Sequence, residues 1–266
     1  MKLLSFDIGI RHLSYCLLQF EENTMSINDW NVIDLVHYET NNIQIDSCHL
    51  LHNIKVYSKE QLIEFIEKHN FEYTIDKKVK KDALKKDFQQ FLLQFLKKKY
   101  NVTKDTFSPL DIVSLKLYSF LRNTEMIQSI DALAIENQPA LKNPLMKSLQ
   151  MIIYTYFFGI FANKNLYLHV KKEMKTKTKE YTIFPIQLVS ASNKTNIKLK
   201  NKNLLKDTTY KERKTKSIEI CKDVLEKGFV SQHLEFFNNH SKKDDLADSF
   251  LQGIYVLQEH YQVCEI

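Results

Sequence analysis

Apolar positions come first in short blocks and later at helical spacing. Leu3, Leu4, Phe6 and Ile8 form a run with almost no polar alternation, the pattern of a central strand covered on both faces, and the run takes in Asp7 and is broken by Gly9. His12 to Phe20 is apolar enough for a second strand, joined to the first closely enough for a hairpin, and Trp30 to Tyr38 alternates as a third. From about Asp46 to Phe107 the texture changes to lysine-rich helix. Ser58 and Gln61 have the spacing of a capping box opening a helix to about His69, and Leu84, Phe88, Phe91, Leu92 and Phe95 share one face of a helix over 83–99. Ser108, Pro109 and Asp111 open a further helix to about Ile127. Ala132 to Glu136 is a short buried strand that the following Asn-Gln-Pro brings to a stop. After it the pattern predicts a strongly apolar helix over 144–163, a strand over 184–190, a helix over 210–227 ended by Gly228, and a last helix from Lys242 to about Tyr261 capped by Ser241. Three opening strands followed mostly by helices predict an α+β or mixed α/β sheet, flanked by helices, rather than repeated βαβ units, with a helical insertion at about 46–107 after the third strand.

A chain of 266 residues, 44% hydrophobic and 26% charged, can bury a full core, and it reads as a single domain over 1–266 carrying that insertion. The 38 Lys+Arg against 32 Asp+Glu leave a charge of +6, which suits a polyanionic partner. Much of the excess lies at 194–216, where eight lysines and Arg213 face only Asp207 and Glu212. The lysine runs of the insertion, 77–86 and 97–99, read as solvated faces of amphipathic helices rather than a dedicated nucleic-acid module. The four cysteines are scattered with no C-x-x-C pair, so reduced thiols and an intracellular, non-secreted protein are expected. The longest strongly apolar stretch, Met151 to Ala162, is shorter than the ~18 residues that suggest a span, so no membrane is expected. His49 and His52 lack further metal-ligand partners and are expected in a loop.

Candidate chemistry comes from carboxylates. Asp7 and Glu136 each stand at a strand end, while Asp245 and Asp248, three apart on a helix, share a face. Asp244 shares that face with Asp248 equally well, although its place three after Ser241 also suits support of the helix start. Acids aimed into one volume repel unless cations neutralise them. Oxygen-only ligands favour Mg²⁺, with Mn²⁺ as a substitute, over zinc, and a pair of such ions suits in-line attack on a phosphodiester. Gln138 and Asn137, next to Glu136, are candidates to orient it.

Four stretches, Ser-Phe-Asp-Ile-Gly-Ile-Arg at 5–11, Ile-Glu-Asn-Gln-Pro at 135–139, Val-Ser-Ala-Ser-Asn-Lys at 189–194 and Lys-Asp-Asp-Leu-Ala-Asp-Ser-Phe-Leu at 243–251, resemble the four motifs of poxvirus-type Holliday junction resolvases. These belong with the RuvC-like resolvases of the RNase H-like superfamily. The resemblance implies a five-stranded mixed sheet, a homodimer, and Mg²⁺-dependent paired nicking of a four-way junction. It makes Asp7, Glu136, Asp245 and Asp248 the metal ligands and puts Lys194 near the scissile phosphate. Arg11, Lys194, Lys198, Lys200, Lys202 and Arg213 are then the DNA-binding candidates, and a nucleus, mitochondrion or viral replication compartment the place of work. The insertion at 46–107 departs from that pattern. Actin-like kinases also open with Asp-x-Gly, but the other glycines, Gly159, Gly228 and Gly253, are isolated and supply no phosphate loop. An RNase H-like nuclease for flaps or RNA/DNA hybrids, or an inactive branched-DNA-binding protein, shares the same residues.

Overall fold

The computed structural model describes residues 1–22, 24–75, 78–101, 108–124, 129–141, 143–163, 168–174, 177–183, 185–195, 210–227 and 231–261. The chain divides into two compact units, one formed by Met1–Asp34 with Thr124–Ile266 and the other by Leu35–Asn123.

In the first unit, strands β1 (Lys2–Asp7), β2 (Leu13–Glu21) and β3 (Thr24–Ile33) form an antiparallel meander. Strand β4 (Ala132–Glu136) pairs parallel with β1 on its other side. Between β4 and the sheet's last strand the chain makes the long helix α5 (Pro144–Asn163) and a separate antiparallel hairpin of β5 (Leu168–Met174) and β6 (Lys177–Ile183). Strand β7 (Ile186–Val189) then pairs parallel with β4, giving the order β3-β2-β1-β4-β7. Three antiparallel strands continued by two parallel ones form the five-stranded mixed sheet that the four motifs imply.

The third strand starts six residues earlier than its alternation suggested. A hairpin closes at Glu22, whose φ of 47° is left-handed, so β3 runs from Thr24 and turns Met25, Ile27 and Trp30 inward. A register shift between Leu17 and Leu18 absorbs one extra residue of β3, which breaks the two-residue period, and the chain leaves the sheet after Ile33.

Both faces of the sheet are covered, as the unalternating first strand requires. On one side Leu3, Cys16, Leu18, Ala132 and Ala134 pack with helices α6 (Tyr210–Lys227) and α8 (Lys243–Tyr261) and with Phe237 of the short helix α7 (Leu234–Asn239). Gly253 permits this close approach, since a Cβ there would lie 2.7 Å from Leu18 Cδ1. On the other side Phe6 meets Phe157 of α5, ring centroids 6.4 Å apart. Leu149, Ile153, Phe157 and Phe161 make the buried stripe of α5 at helical spacing, each such side chain contributing about 1.5–3 kcal/mol by leaving water. Met151 and Phe158 on its outer face are exposed. By length and mean hydropathy alone α5 is long and apolar enough to cross a membrane.

The second unit contains α1 (Ile43–Asn53), α2 (Lys59–Lys68), α3 (Lys81–Tyr100) and α4 (Pro109–Asn123) around Leu50, Leu62, Phe65, Phe88, Leu92 and Ile112. It is wider at both ends than the 46–107 expected. Ser58 and Gln61 form the capping box reciprocally. His49 and His52 lie on α1 and not in a loop; Asn42 starts that helix by accepting from the backbone N–H groups of Gln44 and Ile45. Helix α4 spans Pro109–Asn123, and Ile127, to which it was expected to run, lies outside the described residues.

Candidate active site

The three parallel strands end at one edge of the sheet. Phe6 pairs with Ile135, so Asp7 and Glu136, each one residue further, stand side by side at the carboxyl ends of β1 and β4. Val189 pairs with Glu136, and the chain then folds into a 3-10 turn, Ala191–Thr195. The Asn193 backbone N–H donates to Ser190 O at 2.9 Å and its side chain donates to Tyr255 Oη of α8 at 3.1 Å. That turn delivers Lys194 to the same edge.

Helix α8 is fastened across the sheet so that its first turns arrive there too. Ser14 Oγ donates to Asp245 O at 2.6 Å, Trp30 Nε1 to Leu246 O at 3.1 Å, and the buried Gln252 Nε2 to Ser5 Oγ and Phe6 O at 3.1 and 3.0 Å. Asp7, Glu136, Lys194, Asp245 and Asp248 consequently line one cavity of about 590 Å³. The Lys194 ammonium, 3% exposed as a residue, lies 2.5 Å from Asp7 Oδ1 and 3.4 Å from both Glu136 Oε1 and Asp248 Oδ2.

Charge crowding shows in the titration of these groups. Burial and the neighbouring Asp7 push Glu136 up to about 8. Burial, then Asp244 and Asp7, push Asp245 up to about 6. Burial also raises Asp248, against the pull of Lys194. For Lys194 burial works against the charge, yet Asp7, Asp248 and Glu136 together hold it above the ordinary lysine value.

The remaining candidates separate. Asp244 forms an ion pair with Lys214 of α6, which holds its carboxyl below the usual range although burial acts the other way. Arg11 and Arg213 line the cavity, Arg11 with its Nε 3.8 Å from Asp34 Oδ2. Lys198, Lys200 and Lys202 lie outside the described residues. Gln138 Nε2 donates to Glu136 Oε2 at 2.5 Å, and its backbone N–H donates to the fully buried Gln150 Oε1 at 2.8 Å. Asn137 instead accepts from Lys147 Nζ at 3.1 Å. Lys214, Gln150 and Ser217, which hydrogen-bonds Asp248, were not singled out from sequence. Lys214 had a signal, a cation in the basic segment ahead of the acidic helix; Gln150, inside an apolar helix, and Ser217, inside a lysine-rich one, are ordinary polar residues.

Residues 158–259 match the family model described as Poxvirus A22 protein. Over that stretch the chain is poxvirus A22-like. It contains the third and fourth motifs, with Lys194, Asp245 and Asp248, in agreement with the poxvirus-type resemblance. The uncharacterized protein L451 of Acanthamoeba polyphaga mimivirus is 25% identical over 329 residues, covering 97% of this chain and 75% of its own length. Among solved structures, the yeast mitochondrial Holliday junction resolvase Ydc2 is similar at 16% identity and a TM-score of 0.46, covering 98% of this chain and 81% of its own. The fowlpox virus resolvase, solved with substrate Holliday junction DNA, is similar at 15% identity and a TM-score of 0.41, with 97% of each chain covered.

A metal ion suits this donor set. Three carboxylates crowd around one ammonium and Asp245 lines the same cavity; Glu136, Asp245 and Asp248 have raised pKa values, and a divalent cation is the species that relieves such crowding in their charged forms. Among the described residues no three His, Cys, Asp or Glu side chains are grouped closely enough to hold a metal ion in the present arrangement. The Lys194 ammonium stands in as the cation between Asp7, Glu136 and Asp248.

Proposed function

We propose that this chain is a divalent-metal-dependent endonuclease that resolves four-way DNA junctions by paired nicks as a homodimer. The observation that carries the proposal is the meeting of Asp7, Glu136, Asp245 and Asp248, from three elements, in one cavity, with the buried Lys194 against three of them. The four motifs, and the poxvirus A22 match over two of them, support the junction as substrate.

Asp7, Glu136, Asp245 and Asp248 would hold Mg²⁺ or Mn²⁺. When bound, such ions supply charge to activate water and to steady the leaving oxygen of a phosphodiester. Gln138 holds the Glu136 carboxylate in one orientation, and Asp244 stays with Lys214 as a support of the α8 start. Lys194, beside the carboxylates, would donate to the scissile phosphate. Arg11 and Arg213, on the cavity wall, bind flanking phosphates. Two symmetrical cuts need two such centres, and a two-fold dimer matches the symmetry of the junction. The exposed Met151 and Phe158 on α5 form part of the surface between copies. The viral relatives point to a replication compartment inside an infected cell as the place of work.

The test is Mg²⁺-dependent cleavage of a fixed four-way junction beside matched linear duplex, flap and RNA/DNA-hybrid substrates, with Asp7→Asn as control. We expect paired symmetrical nicks in the junction, lost in the variant and weak elsewhere. Equal cutting of flaps or hybrids would keep the chemistry and overturn the substrate. Junction binding without cutting in any divalent metal would point to a non-catalytic binding protein.

A further inference from the structure

Residues 35–123 lie outside the stretch matched by the A22 family, and no part of the carboxylate centre falls in them. They hold 15 Lys and Arg against 11 Asp and Glu, an excess of four out of the chain's six. The excess is not evenly spread. Lys85 Nζ donates to Lys55 O at 2.7 Å and Lys59 Nζ donates to Val79 O at 2.8 Å, which draws the 3-10 turn Ile54–Val56, the start of α2, the approach to α3 and its first turns to one place. Lys55, Lys78, Lys80 and Lys81 are exposed there, with Glu60 and Asp82 the neighbouring acids.

Two lysine hydrogen bonds tie these elements together, but helix electrostatics does not favour the exposed cations grouped there. Cations belong at a helix C-terminus, where Lys97, Lys98 and Lys99 of α3 indeed stand; at the N-terminal end the helix dipole and mutual repulsion both oppose them. No side chain caps α3 at Lys80. Burial first, and then the charge of Lys81, depress the Lys85 pKa, while Asp82 opposes them. A local rule broken with no evident compensating gain marks a site kept for binding.

We propose that the lysine patch gathered around the start of α3, with Lys55, Lys80 and Lys81 exposed at its centre, is a second DNA-binding surface that contacts the phosphate backbone of duplex DNA. It rests on the reading of the chain as a DNA enzyme. It gives the insertion a role, which is to hold a DNA segment by charge without reading its sequence.

The experiment uses the full chain carrying Asp7→Asn, and measures binding to an uncleaved linear duplex as a function of salt. Two triple variants are compared on that background: Lys55→Gln/Lys80→Gln/Lys81→Gln at the patch, and Lys97→Gln/Lys98→Gln/Lys99→Gln at the other end of α3. Each removes the same charge. We expect the patch variant to bind more weakly and to lower the slope of log affinity against log salt by about 2 to 3, at ~0.9 per lost phosphate contact, and the control variant to change it little. We also expect the patch variant to melt at a higher temperature than its parent, which separates loss of binding from loss of fold. Equal effects of the two variants would overturn the patch in favour of bulk charge, and an unchanged slope in the patch variant would overturn it outright. Junction cutting by the wild-type chain is scored separately, so failure of the patch and failure of the nuclease reading give different results.

Discussion

Lys194 brings an almost fully buried ammonium within 3.4 Å of three carboxylates, so in the metal-free protein it is the counter-charge of the cluster. Replacing it with Met strands acids that burial already disfavours. We expect Lys194→Met to lose about 3–5 kcal/mol in urea unfolding with a chelator present, the cost of breaking a buried pair by removing one partner. Added Mg²⁺ should restore more stability to the variant than to the wild type; an unchanged chelator-treated midpoint would contradict the role. Asp7 and Glu136 could be picked out from sequence because each ends a short apolar run, and a charge at the end of a buried strand needs a partner. The choice between Asp244 and Asp245 could not be read, because spacings of three and four to Asp248 share a helical face equally. It turns on Lys214, 30 residues away in the chain, which takes Asp244 into an ion pair.

Among the elements, α1 shows why helical pattern can be hidden. Its buried side chains include Asp46, Ser47 and His49, so its inner face does not read as apolar, and His49 looked like a loop residue. The fold bonds Asp46 and keeps His49 neutral, while the Ser47 hydroxyl is buried with no hydrogen-bond partner among the described residues. Thr40 donates to Asp46 at 3.1 Å, while burial and Lys116 depress His49 to about 3. The unfolded chain therefore binds the His49 proton first. Its contribution to stability is complete above pH about 6.5 and is lost as pH falls toward 3. Asp46, raised by burial, acts in the opposite sense, so the comparison that isolates His49 is wild type against His49→Gln. We expect the variant to lose a smaller share of its stability than the wild type between pH 6.5 and 4 in denaturant titrations. Similarly, Gly253 looked like an isolated glycine, and its reason is packing. A Cβ would press on Leu18 Cδ1 and sit 3.3 Å from Ser5 Cβ, so Gly253→Ala should cost about 1–3 kcal/mol. Equal thermal midpoints would show that the sheet and α8 have room to spare. The hairpin of β5 and β6 was missed for another reason: its strand sequences, LHVKKEM and KTKEYTI, carry lysines where a buried strand would alternate apolar residues.

For the molecule as a whole, the mixed sheet was legible because the order of strand and helix patterns leaves few ways to connect them. The extent of the second unit was not, since α1 and α4 join it through packing that no local pattern announces. The assembly expected of a junction resolvase rests on α5, whose inner stripe fills the core and whose outer face exposes Met151 and Phe158. Changing Met151 and Phe158 together to Glu should convert a dimer to a monomer in sedimentation while leaving the fold intact; a wild-type chain that sediments as a monomer on junction DNA would contradict a two-centre mechanism. The most direct test of the nuclease centre is the rate of Mg²⁺-dependent junction cutting by Asp245→Asn beside Asp244→Asn. If the cavity is the active site, the first is nearly inactive and the second, with Lys214 still near, keeps most of the wild-type rate. The reverse order, or full activity in both, would remove α8 from the centre and with it the metal site assigned here.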